Sequence, residues 1–248
     1  MPTYVVLGFV FFISLFLGSF YNVVALRMML GNQSIVYPPS HCVSCKNKLK
    51  FFDLIPVLSY LFLKGKCRYC HEKISPIYPF GEILTAISYT LIVYKYGFTI
   101  ETVIHLVFIT MIIIATITDI KKTIVPDKII VIGLVAVLVL RILSGDTDVF
   151  KYIISSIISF LLLLLILLLS NGKMGGADVK LYSLIGLSVG LNAAIGSLFY
   201  ASIIALMYHI PKIIKKEQIK GVEFPFVPFI TIGVLITYIY NAYSFFNI

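Results

Sequence analysis

Two aspartates in this sequence stand where a carboxylate is costly, each beside a segment with punctuation of its own. Asp119 opens the run Asp119-Ile120-Lys121-Lys122-Thr123-Ile124-Val125-Pro126-Asp127, and Asp178 lies in Gly175-Gly176-Ala177-Asp178-Val179-Lys180. Both fall at the ends of long apolar stretches, and a carboxylate at a bilayer edge is usually there for function. Two that can meet suit acid–base chemistry. Close carboxylates cannot both ionise easily, so one keeps a proton. The ionised one draws a proton from water, the water attacks a carbonyl, and the protonated one donates to the carbonyl oxygen or leaving amine. Such a dyad needs no metal and no covalent intermediate. No rival constellation is visible: the four histidines are His41, His71, His105 and His209, with no H-E-x-x-H, and G-x-S-x-G is absent.

A plainer reading makes these acids helix caps. Asp127 and Asp178 could both be N-caps. Asp119 ends an apolar stretch, where a helix dipole disfavours an anion, so a purely structural role suits it less. Pro126 forbids one helix through Asp119 and Asp127 and predicts a tight turn between two helices. Gly175 and Gly176 admit backbone conformations closed to other residues and close approach of another backbone.

The other chemistry lies in four cysteines, Cys42, Cys45, Cys67 and Cys70, arranged as two C-x-x-C pairs separated by 21 residues. That is close to a zinc-ribbon spacing, and four thiolates complete a tetrahedral structural site. Lys46, Lys48, Lys66 and Arg68 lower the thiols' pKa and offset the site's charge. Two disulfides are the alternative, disfavoured in a reducing compartment. His41 and His71 flank the pairs and read as loop residues. Between the pairs, residues 51–63 are amphipathic and too short to span; they read as an interfacial helix or as the core of a small metal-held subdomain.

The elements that carry these residues are set by composition. Of the 248 residues 60% are hydrophobic and 12% charged, with a mean hydropathy of +1.02. This excludes a soluble domain and predicts an all-α polytopic membrane protein. About eight spans are expected, near 4–26, 80–97, 100–118, 128–144, 150–170, 179–192, 194–210 and 226–245. The first is too long for a cleaved signal peptide and lacks a basic flank before it. Arg27 after it suggests an N-terminus outside. The cytosolic segments are then 27–79, 119–127, 171–178 and 211–225. Of 20 Lys and Arg, only Lys95, Arg141 and Lys151 lie near the outer loops, which leaves 17 on or beside the cytosolic side. A net charge of +9 therefore reads as positive-inside loops rather than nucleic-acid binding. The stretch Ile185–Leu206 could be one helix, but Gly186, Gly190, Asn192 and Gly196 favour a break. Merging it would put the basic run from Lys212 to Lys220 outside.

With these motifs in place, the chain resembles the type IV prepilin peptidases, bifunctional leader peptidase/N-methyltransferases of pili, type II secretion and competence systems. Gly18-Ser19-Phe20-Tyr21-Asn22-Val23 resembles the family's G-S-F-x-N-V. The cysteines match its tetracysteine loop, with Leu54-Ile55-Pro56-Val57-Leu58-Ser59 between the pairs. Ser75 to Pro79 and Glu82 resemble I-S-x-x-Y-P…E. Asp119 to Asp127 resembles D-x-x-x-x-x-I-P-D, Gly175 to Lys180 resembles G-x-G-D-x-K, and Pro225 to Phe229 resembles P-F-G-P-F. Each match is weak alone; their order along nearly the whole chain is specific.

The resemblance implies that Asp119 and Asp178 are catalytic, with Asp127, Gly175, Gly176 and Lys180 supporting. It implies an N-terminal methyltransferase-like part over residues 1–97, after whose first helix comes the cytosolic zinc-ribbon-like loop, and a membrane aspartic peptidase domain over 98–248. The substrates would be prepilin-like or pseudopilin proteins with a short basic leader, a Gly before the cut and often Phe after it. They would be cut at the cytosolic face of the bacterial membrane, then N-methylated with S-adenosylmethionine. Gly65 and Glu82 are the methyltransferase candidates. No glycine-rich nucleotide loop follows a strand, so S-adenosylmethionine rests on the resemblance of residues 18–82. Membrane lipids are the other expected partner. Three departures stand out: Ala177 replaces a Gly, Val125 an Ile, and Val227 the Gly of P-F-G-P-F. The rival readings are a peptidase without methylase activity, a transporter or proton relay using the same aspartates, and a zinc-ribbon scaffold, which would leave Asp119 and Asp178 unexplained.

Overall fold

The architecture comes from a computed structural model that describes residues 3–31, 34, 36–145, 147–170, 174–214 and 224–240. The basic run at 215–220 lies outside them. The described residues are helical, with no strand beyond two isolated bridges. They form two compact units, Met1–Tyr94 and Lys95–Ile248.

The first unit holds α1 (Thr3–Met29), a 3-10 turn (Phe51–Leu54), α2 (Leu58–Phe62) and most of α3 (Ile77–Tyr96). Small and polar residues join α1 to α3. A Cβ on Gly18 would sit 2.7 Å from the Glu82 Cα, so only glycine lets the backbones approach this closely. Asn22 Nδ2 donates to the Tyr78 carbonyl at 3.0 Å, and the Tyr21 and Tyr89 hydroxyls meet at 2.8 Å. The G-S-F-Y-N-V segment is thus a helix-packing motif.

The second unit holds α4 (Ile100–Lys122), α5 (Asp127–Leu143), α6 (Val149–Leu169), α7 (Gly176–Val189), α8 (Leu191–Ile214) and α9 (Val227–Tyr240). Its core is α4 and α7. Every residue of α4 from Ile112 to Asp119 is buried, and α7 is buried on nearly all sides. Glycines let neighbours close on this core. A Cβ on Gly186 of α7 would meet the Ser155 carbonyl of α6 at 2.5 Å, and one on Gly233 of α9 would meet the Ser197 carbonyl of α8 at 2.4 Å.

Among the described residues five helices are long and apolar enough to cross a membrane: α1, α3, α4, α6 and residues Leu191–Ile210 of α8. Two of the other expected spans are shorter: α7 has 14 residues and α5 has 17, while the expected span 226–245 runs past Tyr240, outside the described residues. Fourteen residues reach only about 21 Å against a hydrocarbon core of about 30 Å. For α7 the reason is local. Gly190 at φ +83° ends the helix, and α8 starts at Leu191, so the chain does break where the glycines cluster.

Candidate active site and metal centre

Helix α4 carries Asp119 near its C-terminus, and Thr123 then closes the helix in the left-handed region, its N–H bonding the Asp119 carbonyl at 2.7 Å. Residues 124–126 run without helix, Val125 is buried, and α5 starts at Asp127. Pro126 thus makes the turn its ring geometry requires. Asp178 enters from the first turn of α7, whose preceding residue is Gly175. The Asp178 Oδ2 lies 3.0 Å from where a Gly175 Cβ would be, so the glycine leaves room for the carboxylate. Nothing crowds the same position at Gly176.

The fold buries both carboxylates, with Asp119 at 6% and Asp178 at 7% exposure. Helices α4 and α7 pack together, with Asp119 near the C-terminus of one and Asp178 in the first turn of the other. Asp119 faces the negative end of its own helix dipole, and the structure supplies the counterweight. The Val227 N–H at the first residue of α9 donates to Asp119 Oδ2 at 2.9 Å. The positive end of α9 is thus aimed at the carboxylate. Sequence reasoning missed this role. Its signal was there, in a proline-flanked helix start, but nothing local tied residue 227 to residue 119. The backbone of Val227, not its side chain, makes this contact.

Neither expected cap is a cap. Pro126 and Gly175 hold the N-cap positions, with Asp127 at the first residue of α5 and Asp178 at the third of α7. Asp127 is exposed and pairs with Lys180 at 2.8 Å, so the two motifs are joined by a surface ion pair. The Ala177 departure falls at the second residue of α7 and is partly exposed, away from the buried flank that holds Asp178.

In the first unit the Sγ atoms of Cys42, Cys45, Cys67 and Cys70 all lie within 4.8 Å of one another, with Cys42 and Cys70 3.8 Å apart. A tetrahedron of zinc–thiolate bonds of about 2.3 Å has edges of about 3.8 Å, so the cluster fits a metal ion. Two like turns build it. The Lys46 N–H bonds the Cys42 carbonyl and the His71 N–H bonds the Cys67 carbonyl, both at 3.0 Å, and Lys46 and His71 share a left-handed conformation. The histidines lie outside the ligand cluster. The backbone of Cys45 lowers the Cys42 thiol to about 6, which favours a thiolate there.

Asp53 ties the intervening segment to the second pair through Arg68 at 2.6 Å. Burial opposes its ionisation, but the bonds from Arg68 and the Lys50 N–H outweigh this and hold its carboxyl below the ordinary value. Phe51, Phe52, Leu61 and Phe62 are exposed, which excludes them as the core of this subdomain. Gly65 takes φ +67° against the Tyr60 ring, 3.0 Å from a would-be Cβ. Glu82 is buried, and its Oε2 accepts the Val57 N–H at 2.7 Å, holding Val57 at φ 60° where a β-branched residue is strained. Glu82 therefore shapes the link between the 3-10 turn and α2, and Gly65 the turn that follows α2.

The chain is also similar to known proteins. Residues 12–96 match the bacterial peptidase A24 N-terminal domain, and residues 106–210 match the type IV leader peptidase family. A prepilin leader peptidase/N-methyltransferase of Bacillus subtilis (strain 168) is 32% identical, over 95% of this chain and 94% of that protein. One of Vibrio cholerae is 31% identical over 79% of this chain and 82% of its own length, and one of Neisseria gonorrhoeae is 29% identical over 81% and 70%. No solved structure matches.

Proposed function

The chain belongs to the prepilin leader peptidase/N-methyltransferase family, and on that premise we propose that Asp119 and Asp178 form an aspartyl dyad that cuts the leader of prepilin-like proteins at the cytosolic face. The observation that carries this reading is the burial of two carboxylates, 59 positions apart in sequence, on the core helices α4 and α7, which pack against each other. One carboxylate, ionised, takes a proton from water, and the water attacks the scissile carbonyl. The other, protonated, donates to the carbonyl oxygen and then to the leaving amine. The Val227 N–H keeps Asp119 in place through that exchange. The Lys180–Asp127 pair and the glycines before Asp178 support the two motif segments.

The orientation rests on the 17 of 20 Lys and Arg that an outside N-terminus places on or beside the cytosolic face. The peptidase domain is assigned to residues 98–248 and methyl transfer to residues 1–97, with the four thiolates holding zinc as a structural ion. S-adenosylmethionine would be the methyl donor. This donor is supported by kinship alone. Gly65 and Glu82 would act by shaping the loop of that unit.

The test is a cleavage assay in proteoliposomes with a prepilin-like substrate that a relative cuts. It compares wild type with Asp119→Asn and Asp178→Asn, with and without S-adenosylmethionine, read by intact mass. Loss of the leader in wild type alone is expected, with a further methyl mass when the donor is present. Full cleavage by both variants would refute the dyad; leader loss without methylation would leave a peptidase only.

A further inference from the structure

Far from the aspartates, the second unit holds a cavity of about 330 Å³ that the peptidase reading does not use. Its walls are the opposite ends of the helices that carry the catalytic motifs: the first turns of α4, the last turn of α7 and the last turns of α9, joined by the end of α3. From His105 in this wall to Asp119, α4 runs 14 residues, about 21 Å. On the proposed topology this is the outer end; of the three basic residues near the outer loops, Lys95 lines the cavity and Arg141 is bonded to its Glu101 from behind.

The charges decide what could enter. Arg141 is fully buried, lies 3.6 Å over the Tyr152 ring, and bonds the Ser188 carbonyl and the Glu101 carboxylate, each at 2.7 Å. Glu101 also lies 3.6 Å from His105 Nε2, while His105 Nδ1 meets the Tyr238 hydroxyl at 3.0 Å. The acid is thus already spent on Arg141 and the histidine. Ser188 and Thr237 donate to carbonyls of their own helices. What remains is Lys95. Its ammonium sits 5.2 Å and 5.6 Å from the Tyr96 and Tyr238 rings, with no carboxylate in ion-pair range among the described residues. With the Glu101 charge matched by Arg141 behind the wall, Lys95 gives the wall a positive excess.

Tyrosine rings beside an ammonium at the end of membrane helices are the surroundings of a lipid head group. Phe98 and Phe150, both more than three-quarters exposed, lie in the adjoining helix-end segments, where acyl chains would run. We propose that this cavity binds the phosphodiester of an anionic phospholipid, with Lys95 pairing the phosphate and the tyrosine rings flanking the glycerol. The bound lipid clamps the ends of α4, α7 and α9, whose other ends hold Asp119, Asp178 and the Val227 N–H.

The experiment uses the full chain, delipidated in a mild detergent. Binding of a phosphatidylglycerol is measured by native mass spectrometry and by the shift in thermal unfolding, with inorganic phosphate in a parallel arm. One saturable lipid per chain and a raised unfolding temperature are expected, with no effect of phosphate. Lys95→Gln should weaken binding about tenfold, the scale of one lost charged hydrogen bond. Ala193→Leu, which fills the cavity from the start of α8, should also weaken it. Lys151→Gln, on the same face but outside the cavity wall, should not. Unchanged binding in Lys95→Gln, or equal loss in Lys151→Gln, would overturn the site. Equal protection by phosphate in a Lys95-dependent way would replace the lipid with a soluble anion.

Discussion

Replacing Val227 by proline isolates one hydrogen bond of the proposed dyad. The Val227 N–H donates to Asp119 Oδ2 at 2.9 Å from the first residue of α9. That position is where proline is best tolerated in a helix, because its missing N–H has no intrahelical partner there. The substitution thus removes the donor while leaving α9 able to form. A hydrogen bond to a charged group contributes about 1.5–3 kcal/mol. If the bond holds Asp119 for catalysis, kcat/KM for leader cleavage should fall by about 10–150-fold. Val227→Ala is the control, since it trims a buried side chain and keeps the N–H. It should cost about 1–3 kcal/mol of stability and little activity. Cleavage is read by intact mass on folded protein, and unfolding by circular dichroism, because the chain has no tryptophan. Equal cleavage rates in Val227→Pro and Val227→Ala would refute the idea that α9 positions the aspartate.

Other outcomes follow from the same structure. Substituting Cys42 or Cys67 by serine should remove bound zinc, measured by elemental analysis, and expose residues 42–70 to proteolysis while the helices of the second unit stay protected. Gly186→Ala, whose Cβ would lie 2.5 Å from the Ser155 carbonyl, should destabilise the packing of α6 on α7 by about 1–3 kcal/mol in denaturant titrations. A double-mutant cycle on Lys180 and Asp127 should give a coupling below about 1 kcal/mol, because both side chains are at least half exposed and water screens the pair.

Much of the site was legible because its signals are local. Pro126 breaks a helix wherever it stands, so the turn between Asp119 and Asp127 could be placed from sequence. The break at Gly190 followed from glycines interrupting an apolar run. The cysteine spacing predicted a cluster, and the four sulfurs do converge. The N-cap reading failed for an equally local reason. Aspartate near a helix start can be cap, first residue or third residue, and hydropathy does not resolve a shift of one to three positions. The exposed face of Phe51, Phe52 and Phe62 was ambiguous because an amphipathic segment does not say what covers it.

The sequence by itself determined the solvent, the helical class and the chemical parts. A chain this apolar must satisfy its backbone inside helices, and its acids and thiols stand out against that background. Tertiary structure decided which parts meet. It brought the Val227 N–H to Asp119 across 108 positions and Lys180 to Asp127 across 53, and it made α4 and α7 the buried pair. It also gathered the far helix ends around Lys95 and Arg141. These pairings depend on which helix faces pack, and in a membrane such faces are chosen by close glycine contacts and matched polar groups rather than by hydropathy. Hydropathy reads alike on every apolar helix, so the sequence alone left those neighbours open.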